Sequence, residues 1–363
     1  ISLGIGEPDF PTPWHIRDAG IYSLERGHTK YTSNAGLLQL RREIAAYLER
    51  RFDLRYDYAS QIIVTVGGSE GIDLALRCLL NPGDEVIVPV PSFVCYGPLT
   101  EMAGGVPKYL ELRAEDQFRL TPELLRSAIT DRTKVLVLPF PCNPTGGTMD
   151  RKDLEAIAQV LEGTDIMLLS DEIYAELTYG RRHVSPANLT DLYDRTIVVN
   201  GFSKSHAMTG WRMGYLCGPA PIIQQALKLH QFGIMSAPTV SQYAAVEAMR
   251  NGDPDIEHMR EEYDRRRRYL VENLNRIGLQ CFEPKGAFYV FPDIRSTGLS
   301  SEEFCERFLL EEKVAVIPGS AFGPGGEGFV RACYAASMKD IAESIARMDN
   351  FLTNLRRKQG REG

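Results

Sequence analysis

Residues 201–214 hold the pattern with the most chemical meaning in this chain. They spell GFSKSHAMTGWRMG, so Lys204 follows a serine and stands eight residues before Arg212. The preceding apolar run is predicted to be a buried strand, and catalytic groups of open α/β sheets lie at the carboxyl ends of strands. A lysine there can form a Schiff base with an aldehyde, while a serine hydroxyl and an arginine suit a phosphate. A loop lysine taken alone is more often an ordinary surface residue.

Two further polar segments also follow predicted strands. Asp171 and Tyr174 belong to SDEIY, and Asn143 belongs to PCNPTGG. A carboxylate after a strand can cap the next helix, or it can favour a positive ring nitrogen beside it. The second segment is also a proline-glycine turn, whose prolines restrict the backbone. The residues alone leave both interpretations open.

Anion binding is indicated in two more places. Gly68 and Ser69 join a predicted strand to a helix, and the free N–H groups of a helix start favour an anion. The loop matches neither GxGxxG nor GxxxxGK[ST]. Arg331 lies within the apolar run FVRAC, and a buried arginine needs an anionic partner.

The 201–214 segment resembles the pyridoxal-phosphate attachment site of class I and II aminotransferases, which have fold type I. Every position of that consensus is filled, from Gly201 through Lys204 and Arg212 to Gly214. The resemblance extends over essentially the whole chain. It implies that Lys204 holds pyridoxal 5'-phosphate and that Ser203 and Arg212 bind its phosphate.

The same resemblance implies roles around the cofactor ring. Asp171 pairs with the protonated pyridine nitrogen, and Tyr174 hydrogen-bonds the phenolic oxygen of the ring. Asn143 contacts that oxygen and the substrate carboxylate. Phe93, in PSFVCY, stacks on the ring, and Tyr96 lines the same pocket. From position alone, an aromatic residue such as Phe93 is more often part of a core.

Phosphate and substrate contacts complete the implied site. The loop with Gly68 and Ser69 clamps the cofactor phosphate. Gly6, in LGIGEPDF, lies against the substrate carboxylate, which Arg331 grips in bidentate fashion. Tyr31, in KYT, reaches the phosphate of a neighbouring subunit, so the resemblance implies a homodimer with shared sites.

The elements that position these residues follow from apolar runs alternating with amphipathic helices. Such runs are typical of buried strands of a mainly parallel sheet, covered on both faces. The predicted strands are 62–66, 85–90, 134–139, 166–170, 196–200 and 214–217. The expected α/β fold has a large domain with a mostly parallel seven-stranded sheet and a smaller α+β domain. The large domain is placed at 35–254, and the small one at 1–34 with 255–363.

Composition excludes several classes of protein. The 363 residues are 44% hydrophobic and 25% charged, with a formal net charge of −7. That charge argues against nucleic-acid binding, and no apolar run approaches the ~18 residues of a membrane span. The basic run Arg265–Arg268 is predicted to be a solvated helix face.

The cysteines and the first residue carry two further expectations. Seven scattered cysteines without CxxC predict reduced thiols in a cytoplasmic protein, and no metal site is indicated. The chain begins at Ile1 rather than at methionine, so we expect the native chain to extend further at its amino terminus.

The function expected from the resemblance is transfer of an amino group from an L-amino acid to a 2-oxo acid, with 2-oxoglutarate as the expected acceptor. A ping-pong mechanism is expected. Several stretches are similar to aminotransferases for N-acetyl-LL-diaminopimelate, aspartate or aromatic amino acids. Two alternatives use the same fold: a C–S β-lyase or aminocyclopropane-carboxylate-type enzyme, and, more remotely, a pyridoxal-phosphate-binding regulatory domain.

Overall fold

A seven-stranded sheet forms the centre of the larger part of the molecule. The computed structural model describes residues 1–359. The strand order is β1-β7-β6-β5-β4-β2-β3, and only β7 runs antiparallel to its neighbours. The strands are β1 (Ile62–Thr65), β2 (Glu85–Val90), β3 (Val106–Glu111), β4 (Thr133–Leu138), β5 (Met167–Asp171), β6 (Thr196–Gly201) and β7 (Gly214–Cys217). The predicted mostly parallel seven-stranded sheet is confirmed.

Strand β3 was not predicted from the sequence pattern. Strand β3 has the sequence VPKYLE and lies at the edge of the sheet, with every residue exposed or half-buried. An edge strand tolerates polar residues and proline because one of its sides makes no ladder hydrogen bonds. It therefore lacks the continuous apolar run that revealed the other six strands.

Helices cover both faces of this sheet. Along β4, Val137 packs in one apolar cluster with Leu76, whereas the next residue back, Leu136, packs in another with Leu154. Successive residues of a strand point to opposite faces, so each face has its own core. The helices are α1 (Trp14–Glu25), α2 (Leu38–Phe52), α3 (Gly67–Leu79), α4 (Tyr96–Met102), α5 (Pro122–Ala128), α6 (Arg151–Leu161), α7 (Thr190–Tyr193), α8 (Ala220–Gly233), α9 (Thr239–Asn251), α10 (Asp253–Arg276), α11 (Ser301–Glu312) and α12 (Met338–Gln359).

Local sequence sets several helix starts. Asp150 accepts a hydrogen bond from the backbone N–H of Asp153, whose carboxylate in turn accepts one from the Asp150 N–H. Ser300 and Glu303 form the same reciprocal capping box at the start of α11. Such caps satisfy N–H groups that the helix itself leaves free, and they stabilise the first turn of both helices.

A second, antiparallel sheet lies towards the carboxyl terminus. Its strands are β8 (Tyr289–Val290), β9 (Ile317–Pro318) and β10 (Val330–Cys333), in the order β8-β10-β9. The amino-terminal residues run beside it: the Leu3 N–H donates to the Ala315 carbonyl, and the Cys333 N–H donates to the Leu3 carbonyl. The first residues of the chain are thus held against strands more than three hundred residues away in sequence.

The domain limits 35–254 and 1–34 with 255–363 stay a prediction, of which residues 360–363 lie outside the described part. Leu3 packs in the core around the three-stranded sheet. Ile16 of α1 packs instead with the core that includes α2 and α9. Within residues 1–359, no helix combines the length and the apolar character that a membrane span needs.

The predicted solvated basic face is wrong for two of its four residues. Arg266 and Arg267 are buried, whereas the side chains of Arg265 and Arg268 are 63% and 67% exposed. The Arg266 guanidinium donates two hydrogen bonds to the Asp9 carboxylate, at 2.8 and 2.9 Å. The charge of the run predicted that all four side chains would be exposed to solvent. Two of the arginines instead lie on the inner face of the helix, where they contact carboxylates and aromatic rings.

Arg267 allows a matched test of this burial. It donates to Asp264, to Glu283 and to the Pro284 carbonyl. We expect Arg267→Ala to lower the free energy of unfolding by about 2–3 kcal/mol, because its loss leaves several acceptors unpaired. Arg268→Ala removes an exposed neighbour of the same type and should cost about 0.5 kcal/mol or less. Urea denaturation measures both, and equal losses would contradict the assignment.

Candidate active site

A cavity of about 560 Å³ contains every predicted site residue except Tyr31. The residues come from the ends of the large sheet, from the small sheet and from the amino-terminal segment. Those lining it are Gly6, Gly68, Ser69, Phe93, Asn143, Asp171, Tyr174, Ser203, Lys204, Arg212 and Arg331.

Four neighbouring parallel strands bring part of this set together. Phe93 follows β2, Asn143 follows β4, Asp171 ends β5, and Lys204 follows β6. Because these strands run in one direction, their carboxyl ends meet at one edge of the sheet. Residues more than one hundred positions apart therefore line one cavity.

Tyr31 lies apart from the cavity of its own chain. Its side chain is 81% exposed. The residues on either side are held to α9, because Thr239 donates to the Lys30 carbonyl and Gln242 donates to the Thr32 hydroxyl. A large aromatic side chain thus projects outward from an anchored segment.

Lys204 is half-buried, and its amine bonds only to backbone. The Nζ atom donates to the Gly6 carbonyl at 2.6 Å and lies 5.8 and 5.7 Å from the ring centres of Tyr174 and Phe288. Burial lowers the pKa of Lys204 from about 10.5 to about 8. The amine is therefore easier to deprotonate than a surface lysine, as a nucleophile or base must be.

Asp171 is a buried carboxylate whose hydrogen-bond donors are neutral. One oxygen accepts from the Tyr96 hydroxyl at 2.7 Å, and the other accepts from the Ile173 N–H at 3.2 Å. Burial raises the pKa of Asp171, although the Tyr96 hydrogen bond acts in the opposite direction. A cationic ring nitrogen beside it would offset the cost of burying the charge.

The start of α3 and the Arg212 guanidinium face the same part of the cavity. Gly67 has a φ of 72°, and a Cβ atom there would lie 2.5 Å from Nη2 of Arg212. The Arg212 Nη1 donates to the Thr209 carbonyl at 3.0 Å, so its hydrogen-bond partner is also neutral. Free N–H groups of a helix start, an arginine and the Ser69 and Ser203 hydroxyls together suit a phosphate.

Arg331 offers a carboxylate site. Its guanidinium donates to Asn143 Oδ1 at 2.8 Å and to the Gly4 carbonyl at 2.6 Å, while its Nε is buried without a partner. The rings of Tyr289 and Phe322 lie 4.5 and 4.9 Å from its Cζ. A buried guanidinium with neutral acceptors and an unpaired donor can bind an incoming carboxylate.

Two cavity residues carry geometry that the motifs did not indicate. The Tyr289 hydroxyl lies 2.8 Å from the Tyr174 hydroxyl, so one hydrogen bond joins the two phenols. Glu7 also lines the cavity. Glu7 belongs to the segment LGIGEPDF and Tyr289 to the segment GAFY, but nothing in their spacing marks them as site residues.

The described residues fit pyridoxal 5'-phosphate on physical grounds. They offer a lysine of lowered pKa, a buried carboxylate for the ring nitrogen, a helix start with an arginine for the phosphate, and Phe93 as an aromatic wall. Among residues 1–359, no group of three or more His, Cys, Asp or Glu side chains is placed to hold a metal ion.

Comparisons with known proteins agree with this picture. The family model "Aminotransferase class I and II" matches residues 1–347. A Bacillus subtilis protein named for N-acetyl-LL-diaminopimelate aminotransferase activity is 45% identical over 98% of this chain and 90% of its own. The aspartate aminotransferase of Pyrococcus abyssi is 44% identical, over 97% and 91%.

A solved structure is equally similar. The crystal structure of an aromatic aminotransferase from Pyrococcus horikoshii superposes with a TM-score of 0.95 at 44% identity. The superposition covers 98% of this chain and 96% of that one. The three names differ in the amino acid they state, and they agree on the type of reaction.

Gly67 allows a test of the phosphate site without a change of charge. Gly67→Ala should strain a positive-φ backbone by about 1–2 kcal/mol and push the Arg212 guanidinium aside. We expect the affinity of the cofactor-free protein for pyridoxal phosphate to fall at least about tenfold, as one charge-assisted contact is displaced. Absorbance titration measures this.

The control is Gly83→Ala. Gly83 also has a positive φ, of 89°, but a Cβ atom there meets nothing within 4 Å. It should show the same backbone strain and unchanged cofactor affinity. If both variants bind pyridoxal phosphate equally well, Arg212 does not hold the phosphate.

Proposed function

This chain belongs to the class I and II aminotransferases, and we propose that it uses pyridoxal 5'-phosphate to move an amino group from an L-amino acid to a 2-oxo acid. The observation that carries the proposal is the cavity in which the buried Asp171 and Arg331 and the half-buried Lys204 all have neutral hydrogen-bond partners. Each of these charges corresponds to a charge or reactive group of the cofactor and substrate.

The proposed role of each residue follows from its position in the cavity. Asp171 and Tyr174 face the ring, while Gly68, Ser69, Ser203 and Arg212 hold the phosphate. The chemistry that pyridoxal phosphate supplies is an electron sink for the carbanion formed when the α-proton leaves. Asp171 maintains that sink, because a carboxylate favours the positive form of an adjacent ring nitrogen.

Lys204 has two roles in this proposal. Its Nζ atom attaches the cofactor, and once free it is the base that removes the α-proton of the donor. Arg331, Asn143 and Gly6 would hold the α-carboxylate of the donor in the cavity that Lys204 also lines. Because one site serves the amino donor and then the oxo-acid acceptor, a ping-pong mechanism with 2-oxoglutarate as acceptor is proposed.

A homodimer is part of the proposal. The side chain of Tyr31 is 81% exposed and that of Phe232 is 85% exposed. Their segments are linked through Gln242, which donates to the Thr32 hydroxyl and to the Ala237 carbonyl. An exposed apolar surface of this kind favours a second copy, with Tyr31 directed at the phosphate of the partner's site.

Trapping the lysine tests the proposal directly. Borohydride reduction of protein loaded with pyridoxal phosphate should place the label on Lys204 in a peptide map. Lys204→Ala should abolish both the label and the reaction. Lys152→Ala, which removes an exposed lysine on α6, should leave both intact.

A half-reaction separates the alternatives. With donor alone, an aminotransferase releases one oxo acid per site and stops until a second oxo acid is added. Continuous release of ammonia and pyruvate without an acceptor would instead show a β-lyase, and no turnover at all would favour a regulatory domain. Aspartate, aromatic amino acids and N-acetyl-LL-diaminopimelate, compared in this assay, rank the donors.

The lowered pKa of Lys204 predicts how pH controls cofactor attachment. Only the neutral amine attacks an aldehyde, and a pKa of about 8 leaves about a tenth of it neutral at pH 7. The rate at which cofactor-free protein takes up pyridoxal phosphate should rise up to about pH 9 and then level off. A stopped-flow absorbance series measures it, with Nα-acetyl-lysine as the control for ionisation of the cofactor itself. A rate that still climbs tenfold between pH 9 and 10 would contradict the prediction.

A further inference from the structure

Tyr289 occupies a position that neither the motifs nor the proposed function uses. It is 1% exposed, lines the cavity and belongs to β8 of the small sheet. In the antiparallel pairing, Tyr289 stands opposite Cys333 on β10. Arg331 lies two residues before Cys333 and so shares its face of the sheet, as a diagonal neighbour of Tyr289. The strand register therefore places the ring of Tyr289 against the Arg331 guanidinium, 4.5 Å from its Cζ.

The hydroxyl of Tyr289 reaches the other half of the site. It lies 2.8 Å from the hydroxyl of Tyr174, which follows β5 of the large sheet. It also fills the space above Gly6, where any Cβ atom would collide with it. One side chain thus contacts the ring-facing phenol, the arginine for the carboxylate, and the amino-terminal segment whose carbonyl accepts from Lys204.

The protons on the two phenols determine which hydroxyl donates the hydrogen bond between them. Each phenol has one proton, and the pKa values of both hydroxyls are raised, mainly by burial, so both stay protonated. If Tyr174 donates its proton to the ring oxygen of the cofactor, its own oxygen is left to accept the proton of Tyr289. Chains of donors of this kind strengthen one another.

We infer that Tyr289 is a positioning residue that makes Tyr174 a stronger donor to the cofactor ring and holds Arg331 in place for the α-carboxylate of the substrate. The inference rests on the proposed function, because that function assigns the cofactor ring to Tyr174 and the substrate carboxylate to Arg331. The two tasks belong to different parts of one side chain. The hydroxyl serves Tyr174, and the ring serves Arg331.

Substitutions separate the two tasks. Tyr289→Phe removes the hydroxyl and keeps the ring. A weaker donation from Tyr174 leaves more negative charge on the ring oxygen, which makes the cofactor-linked nitrogen more basic. The midpoint of the absorbance of bound pyridoxal phosphate against pH should rise by about half a unit, while KM for the donor stays within about twofold. Tyr289→Leu also removes the ring, so KM should rise about tenfold as the stacked guanidinium loosens.

The matched control is Tyr334→Phe. Tyr334 is equally buried and also loses one hydrogen bond, from its hydroxyl to the Ala287 carbonyl at 3.0 Å, but it does not line the cavity. It should lower stability as Tyr289→Phe does and leave the absorbance midpoint unchanged. A purely structural role for Tyr289 predicts that the two variants behave alike in both measurements.

A double-mutant cycle isolates the path through Tyr174. Because Tyr289 acts on the ring through that phenol, Tyr289→Phe should cause no further shift of the midpoint in a Tyr174→Phe background. Gly6→Ala, which presses on the Tyr289 hydroxyl from the opposite side, should shift the midpoint in the same direction as Tyr289→Phe. It gives a second route to the same hydroxyl should Tyr289→Phe fold poorly.

The outcomes distinguish this inference from the proposed function. A cofactor band in the unmodified protein, with a midpoint that neither Tyr289→Phe nor Gly6→Ala moves, overturns the role of Tyr289 alone. An additive shift in the double variant overturns the path through Tyr174. The absence of any cofactor band in the unmodified protein overturns the proposed function and this inference together.

Discussion

Burial of charge beside neutral partners is the constraint on which the site depends. The Lys204 amine bonds to a backbone carbonyl, the Asp171 carboxylate to a phenol and an amide, and the Arg331 guanidinium to an amide oxygen and a carbonyl. Each charge carries a desolvation cost that its neutral partners only partly offset. Binding of an oppositely charged or reactive group would offset that cost.

The two sheets contribute different parts of this arrangement. The large sheet provides the groups proposed to surround the ring and phosphate of the cofactor, because its parallel strands end along one edge. The small sheet provides the Arg331 guanidinium, which is proposed to bind the substrate carboxylate, and the phenol of Tyr289. The amino-terminal segment lies between them: carbonyls of residues 4 and 6 accept from Arg331 and Lys204, and Asp9 pairs with the buried Arg266. A segment without regular secondary structure thus closes the site.

The relatives agree on the type of reaction that their names state and differ in the amino acid. The groups for the cofactor and α-carboxylate are common to any amino acid, whereas donor preference depends on what meets the side chain. In the proposed mechanism, Lys204, Asp171, Arg212 and Arg331 act on the shared part of the substrate or on the cofactor. In the proposed dimer, the exposed Tyr31 projects from its own subunit towards the site of the partner subunit.

Local sequence determined much of this protein. Continuous apolar runs marked six of the seven large strands, and short motifs after strands marked Lys204, Asp171 and Asn143, since these signals come from neighbouring residues. Other features arise from contacts between segments far apart in the chain. The edge strand β3 has no apolar run, two arginines of the basic run turn inward to partners supplied by the fold, and Tyr289 meets Tyr174 and Arg331 only through the register of the small sheet. A residue's neighbours in sequence cannot indicate such contacts, because only the packed structure decides which surfaces face each other.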